Sequence, residues 1–194
     1  MRELKSIEER ILDRALYLMG INNTCKISIR AIAKEANVNV SAINYYFRTK
    51  EEMLRMVKEF YIENTLTVSD ILDSEEYDDE EKLILAANEI MEYSLRFPGN
   101  SVIFRDSLNQ AEVDETSSRI INLSQDLRAR IGVLLRNLIP GDEASTHYKN
   151  LIFMSSMNYP IEQDDIYDTG GTLLIEKEAR LDYLNLLLKA LKSV

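Results

Sequence analysis

The sequence predicts an all-α protein of about nine helices, in which a small three-helix N-terminal module precedes a larger helical one. Three observations carry this. Apolar residues recur at spacings of three and four along nearly the whole chain, as in helices buried on one side. Alternation of β-branched residues, the mark of strands, is scarce. Only six Gly and three Pro punctuate 194 residues, so breaks are few.

The first helix is expected to open at Ser6-Ile7-Glu8-Glu9, a capping box in which Ser6 and Glu9 satisfy each other's backbone donors. Ile7, Ile11, Leu12, Ala15, Leu18 and Met19 share one face, and Gly20 is read as a left-handed cap. Ser28 caps a second helix with Ile32, Ala33 and Ala36 inside, ending at Asn37, which tolerates positive φ. Asn39 caps a short third helix, Val40 to Phe47, with Ile43 and Phe47 inward. Thr49-Lys50-Glu51-Glu52 is read as a second capping box, starting a helix that runs to about Leu72. Residues Asp70–Lys82 hold eight acids and one Lys, a solvated linker and helix start. Helices are then expected at Asp79–Phe97, Ser101–Gln110, Glu115–Ile139, Asp142–Met157 and Leu173–Lys192. Pro98-Gly99 and Pro140-Gly141 make corners, and Asn158–Thr172 reads as a loop.

Composition excludes several classes. At 45% hydrophobic and 29% charged residues the chain folds, as one or two domains of roughly 100–200 residues each. Its longest apolar runs, such as Leu83–Ala87 and Leu186–Leu188, fall far short of the ~20 residues a membrane span needs. Charges from Arg2 to Arg10 occupy the place of a signal peptide's apolar core. The single Cys25 forms no internal disulfide, and together these features lead us to expect a cytoplasmic protein with no membrane partner. One His, His147, and one Cys do not make a zinc site, so neither a metal nor another cofactor is expected.

The net charge of −10 conceals a split. Residues 1–60 carry 11 Lys/Arg against 8 Asp/Glu, and the remainder 12 against 25. Between Ser28 and Lys50 stand Arg30, Lys34, Arg48 and Lys50 with one acid, Glu35. Within this basic stretch, two short helices separated by Asn37-Val38-Asn39 have the spacing of a helix-turn-helix, whose second helix enters the DNA major groove. With Ile43 and Phe47 inward, the outward side of the third helix is Val40, Ser41, Ala42, Asn44 and Tyr45. That side is small at its start and carries no acid to repel phosphate. The Asn44 amide suits adenine N6 and N7, while Tyr45 and Tyr46 offer hydroxyls to phosphate or ring surface to a thymine methyl.

Lys50 is the most telling residue. A cation in the first turn of a helix opposes the macrodipole, at roughly 0.3–1 kcal/mol if it faces only water. The placement makes sense if Lys50 and the free N–H groups of that turn grip one phosphate, with Ser28 and the Ile29 amide as a matching clamp.

The run from Ile29 to Leu54, Ile29-Arg30-Ala31-Ile32-Ala33-Lys34-Glu35-Ala36-Asn37-Val38-Asn39-Val40 and then Ser41-Ala42-Ile43-Asn44-Tyr45-Tyr46-Phe47-Arg48-Thr49-Lys50-Glu51-Glu52-Met53-Leu54, resembles the N-terminal signature of the tetracycline-repressor (TetR) family. The likeness covers residues 7–60 and is densest from 28 to 54. Asn37 stands where that family usually has Gly, and Asn39 where it usually has Ser, each keeping the backbone role. Asn44 replaces a commonly aromatic position, which suggests a distinct base preference. The resemblance implies a helix-turn-helix DNA-binding domain, residues 1–48, and a helical ligand-binding and dimerisation domain, residues 49–194. It also implies a homodimer on a double-stranded DNA operator, with an unidentified small-molecule effector. Carried onto matching positions, DNA contacts fall on Ile29, Arg30, Val40, Ser41, Ala42, Asn44, Tyr45, Tyr46 and Lys50, and Ser28 and Asn39 are expected to contact DNA beside them.

In the second module, the last helix has Leu181, Leu184, Leu188 and Leu191 on one stripe and Leu186, Leu187 and Ala190 on an adjacent one. So wide an apolar arc is buried on two sides. We expect one stripe to meet its own domain and the other, assigned to Leu181, Leu184, Leu188 and Leu191, to meet a second subunit across a two-fold axis. Tyr93, Arg96, Phe104, Arg105, Asn109 and Phe153, with Arg119 and Tyr159 beside them, are candidates to line an effector pocket. Arg105, following Val102-Ile103-Phe104, is expected to be drawn inside, partnered by Asp106 or another acid.

The function expected is a ligand-responsive transcriptional repressor. The alternative is a helical interaction module acting through a protein partner, whose mark would be loss of the basic residues at 30, 48 and 50. An enzyme is not expected. Acid pairs such as Glu80/Glu81 and Asp164/Asp165 are adjacent in sequence and do not converge on one atom, and no Gly-rich phosphate loop is present.

Overall fold

A computed structural model describes residues 6–162 and 173–193 of the chain. Its helices are α1 (Ile7–Asn22), α2 (Ile29–Glu35), α3 (Val40–Tyr46), α4 (Lys50–Asp73), α5 (Asp79–Arg96), α6 (Asn100–Gln110), α7 (Glu115–Leu138), α8 (Glu143–Glu162) and α9 (Lys177–Lys192). A 3-10 turn, Leu173–Ile175, precedes α9. No strand occurs among the described residues. The fold is all-α, as the spacing of apolar residues predicts.

Packing divides the chain into two compact units. The first comprises residues up to Thr65 together with Arg96–Ser124, and the second Leu66–Leu95 with residues from Gln125 onward. In the first unit, α1 contributes Ile11, Leu12, Ala15, Leu16 and Met19 to a core that also takes Ile32, Ile43 and Phe47. Phe60 meets Phe97 edge-on, with ring centroids 5.5 Å apart. The second unit's core gathers Leu83, Ala87 and Met91 of α5, Ile131 and Leu135 of α7, Phe153 and Met157 of α8, and Leu184, Leu188 and Leu191 of α9.

Caps explain most helix starts. Ser6 and Glu9 exchange both backbone bonds, at 3.1 and 3.2 Å. At the start of α4 only half of the expected box forms. The Glu52 N–H donates to Thr49 Oγ1 at 3.0 Å, but the Glu52 carboxylate instead accepts from Arg55. A complete box stands within the acidic run expected to be a linker and helix start: the Asp78 N–H donates to Glu81 and the Glu81 N–H to Asp78. Asp serves as the cap there, and its neighbouring acids complement the helix dipole.

Gly20 is not a cap. α1 continues past it, and Asn23, at φ 49°, takes the left-handed position. A Cβ at Gly20 would lie 2.6 Å from Pro98, and one at Gly99 would lie 2.1 Å from the Leu16 carbonyl oxygen. Both glycines therefore permit a backbone approach, the Pro98-Gly99 corner lying against α1. α8 runs to Glu162, beyond the expected end at Met157. Pro160 has no N–H to bond the Ser156 carbonyl in the helical pattern. Tyr183 of α9 supplies that bond, its hydroxyl donating to Ser156 at 2.7 Å. The Asp164/Asp165 pair and most of the expected 158–172 loop lie outside the described residues.

Candidate nucleic-acid interface

The helix-turn-helix segment is fixed by its own polar side chains. Ser28 Oγ accepts the Ala31 N–H at 3.1 Å, and Asn39 Oδ1 accepts the Ala42 N–H at 2.7 Å. Each satisfies one of the donors a helix start leaves open. Between the two helices Asn37 takes φ 53°, the conformation for which Gly or Asn is suited. Ile43 and Phe47 are fully buried, so the register of α3 is set by two anchors one turn apart.

That anchoring turns the remaining residues of α3 outward. Val40, Ser41, Asn44 and Tyr45 are exposed, Tyr45 to 82%, and Ala42 is half-buried. Tyr46 is also half-buried. Its ring lies 6.3 Å from Phe47 and meets Tyr45 edge-on at 5.2 Å, so it supports Tyr45 as much as it faces solvent. No acid lies on α3. Arg30, Lys34, Arg48 and Lys50 form no ion pair among the described residues. Lys50 is the first residue of α4, half-buried, beside a turn whose N–H groups are partly open. Ser28 is exposed and Ile29 half-buried, so the second half of the expected clamp is at the surface.

The expected pocket residues are placed differently. Tyr93 and Phe153 belong to the second unit; Arg96, Phe104, Arg105 and Asn109 belong to the first. Phe153 is wholly buried in apolar core. The Tyr93 hydroxyl is 2.9 Å from Thr67 Oγ1, and burial pushes its pKa up to about 12. Arg105 is not drawn inside: it is exposed, and its guanidinium donates to Asn23 Oδ1. α6 turns its 102, 103 and 107 positions inward, which leaves position 105 on the opposite side. Asn109 donates to the Arg105 carbonyl at 3.1 Å. A cleft of about 220 Å³ in the second unit is lined by Leu72, Lys82, Arg130, Val133 and Leu134, and includes none of these candidates.

The stripe assigned to a second subunit is also corrected. Leu184, Leu188 and Leu191 are at most 3% exposed and form part of their own unit's core, with Leu181 packed beside them. Of the adjacent stripe, Leu186 is 66% exposed and Ala190 is exposed, while Leu187 is half-buried against the same core. On α8, Tyr148, Leu151 and Ile152 are likewise exposed, at 61, 58 and 47%.

Two polar clusters went unread in the sequence, because the side-chain partners of Lys58 and Arg180 are 48–92 residues away along the chain. In the first unit, Lys58 of α4 is 3% exposed and meets Asp106, Gln110, Asp114 and Ser117. The hydrogen bond from Ser117, burial notwithstanding, and the Lys58 ammonium hold Asp114 below the usual carboxylate range. In the second, Arg180 of α9 is 2% exposed and donates to Asn88, Glu92 and the carbonyls of Leu174 and Ile175. Among the described residues no group of three His, Cys, Asp or Glu is placed to hold a metal, and no helix is long and apolar enough to cross a membrane.

Comparison with known proteins converges on the N-terminal segment. The family model described as "Bacterial regulatory proteins, tetR family" matches residues 11–57. Over 57 residues the chain is 39% identical to the probable HTH-type transcriptional regulator YttP of Bacillus subtilis (strain 168), a match spanning 29% of this chain and 28% of that one. Among solved structures, a TetR-like transcriptional regulator from Rhodococcus sp. RHA1 superposes with a TM-score of 0.63 at 16% identity, covering 96% of this chain and 97% of that one. A TetR-family regulator from Bordetella parapertussis 12822 gives 0.60 at 17% identity, covering 94% and 96%. Those two likenesses speak to the fold along nearly the whole chain, and the matched segment holds the capped, acid-free α3. Residues 11–57 thus resemble the N-terminal segment of the tetR family of bacterial regulatory proteins, and the chain shares its fold with solved TetR-family regulators along nearly its whole length.

Proposed function

We propose that this chain is a transcriptional repressor that binds a palindromic operator in the cytoplasm as a homodimer and is released by a small-molecule effector. The observation that carries the DNA half of this reading is the exposed, acid-free side of α3, flanked by four cations of its own module without ion pairs among the described residues. In this reading residues 1–48 dock, with Lys50 and the first turn of α4 holding one phosphate and Ser28 with the Ile29 amide another. Arg30, Asn39 and Tyr46 contact backbone, while Val40, Ser41, Ala42, Asn44 and Tyr45 meet base edges.

A homodimer is supported by the outward apolar residues of α8 and α9, namely Tyr148, Leu151, Ile152 and Leu186. Apolar residues of α8 lie on every side of the helix, more than its own core takes up. Two symmetric copies read half-sites about 34–36 Å apart. Residues 49–194 supply the effector response. α4, continuous from Lys50 to Asp73, carries it as a population shift, with a coupling of typically ~1–3 kcal/mol.

Selection of binding sites from a random duplex pool tests this. Two inverted half-sites one helical turn apart are expected, and recovery of no preferred sequence at low salt overturns the reading. Lys50→Ala should weaken binding evenly across sequences and lower the salt slope by about one. Asn44→Ala should relax preference at one base pair per half-site, by about 1–3 kcal/mol. Identical behaviour of the two variants would refute the division of roles.

A further inference from the structure

Lys58 lies eight residues beyond Lys50 on α4, ~12 Å along the helix axis. Its ammonium donates to Ser117 Oγ at 2.8 Å, Asp114 Oδ2 at 3.0 Å and Gln110 Oε1 at 3.2 Å. Those bonds use all three of its hydrogens. Asp106 Oδ2 also sits 3.2 Å from Nζ, yet is a buried oxygen left without a hydrogen bond. One ammonium therefore faces two carboxylates, a charge deficit in a largely buried place. Such a cluster is poor value as a source of stability, since well-packed apolar residues of equal volume often do as well or better. What it does uniquely is fix geometry. Partners from α6 (Asp106, Gln110), from the α6–α7 turn (Asp114) and from α7 (Ser117) converge on a single atom of α4.

The consequence runs to the DNA-facing end of the same unit. Only Arg48 and Thr49 separate α4 from Phe47, the buried anchor that ends α3. The position of α4 along and about its axis thus sets where Lys50 stands relative to α3. We propose, resting on the DNA-binding reading above, that Lys58 is a positioning residue: its cluster holds Lys50 and α3 in the mutual arrangement that one operator half-site requires.

The test uses the full chain and two variants of it. Lys58→Met combined with Asp106→Asn and Asp114→Asn replaces the cluster by neutral groups of similar size, and Asn at 114 still caps α7. Affinity for the selected operator should fall at least tenfold, while affinity for a random duplex stays within threefold. Loss of register, unlike loss of a phosphate contact, spares non-specific binding. Asp106→Asn alone leaves Lys58 all three of its hydrogen-bond partners and so keeps the fold. It should change operator affinity by threefold or more at an unchanged thermal midpoint. An equal loss on both duplexes, or operator affinity within twofold of the parent for both variants, overturns the proposal. A parent protein that selects no sequence at all fails the DNA-binding reading instead, which separates the two.

Discussion

Replacing Arg180 by Met should be among the most damaging single changes in the second unit. The guanidinium is 2% exposed and donates from Nε to Asn88 at 3.0 Å, from Nη1 to the Leu174 and Ile175 carbonyls at 2.9 and 2.6 Å, and from Nη2 to Glu92 at 2.8 Å. Met matches the stem but leaves a nearly buried Glu92 carboxylate and two carbonyls without that partner. Removing one member of a buried ion pair costs ~3–5 kcal/mol, chiefly for the charge left behind. For a chain of this length each kcal/mol moves the thermal midpoint by roughly 2–4 °C, so a fall of roughly 6–20 °C is expected. The measurement is thermal and urea unfolding by circular dichroism at matched protein concentration. Adding Glu92→Gln to the Met variant should recover part of the loss, because the orphaned charge disappears, giving a coupling of about 1 kcal/mol or more. A loss below ~1 kcal/mol, or two effects that simply add, would show that the arrangement around Arg180 does not bear on stability as argued.

Other expectations follow from burial and close approach. Gly20→Ala would ordinarily gain up to ~1 kcal/mol inside a helix. With its Cβ 2.6 Å from Pro98 it should instead lose about 1–3 kcal/mol by urea unfolding, and a stabilised variant would contradict the close packing of that corner. Leu184→Ala, in the core, should cost ~2–5 kcal/mol without changing the association state. Leu186→Glu should leave the unfolding curve of the protomer nearly unchanged but yield monomers by sedimentation; a dimer that persists would move the interface elsewhere. Cys25, whose thiol burial and Asp106 push up to about 11 from 9.0, should react with a disulfide reagent at pH 8 about 100-fold more slowly when folded than unfolded. Equal rates would place the thiol in open solvent.

Much of the geometry of the candidate interface was legible because its signals are local. Ser28 and Asn39 immediately precede the helices they cap and accept the N–H three residues on, Asn37 takes positive φ, and Ile43 and Phe47 are four apart. Each is a relation within one helical turn, so spacing alone orients α3 and leaves its acid-free side outward. The Asp78–Glu81 box is of the same kind, at the helix start expected within the acidic run, though the run's composition did not single out Asp78 as its cap.

Where two residue choices serve the same local purpose, the chain pattern runs out. Gly20 satisfies the sequence rule for a helix end, yet the glycine is required by Pro98, seventy-eight residues away, and the true end falls at Asn23. Two leucine stripes on α9 are equally apolar, and only the packing of α5, α7 and α8 against one of them decides that Leu184, Leu188 and Leu191 go inside while Leu186 goes out. The acceptors around Lys58 and Arg180 come from distant parts of the chain, and no periodicity encodes their meeting. Helix type, caps and the outward side of α3 follow from interactions a few residues long, which the order of amino acids states directly. The choice of buried face and the pairing of buried charges depend on which helices come together, and that is fixed by the whole fold's burial of apolar surface.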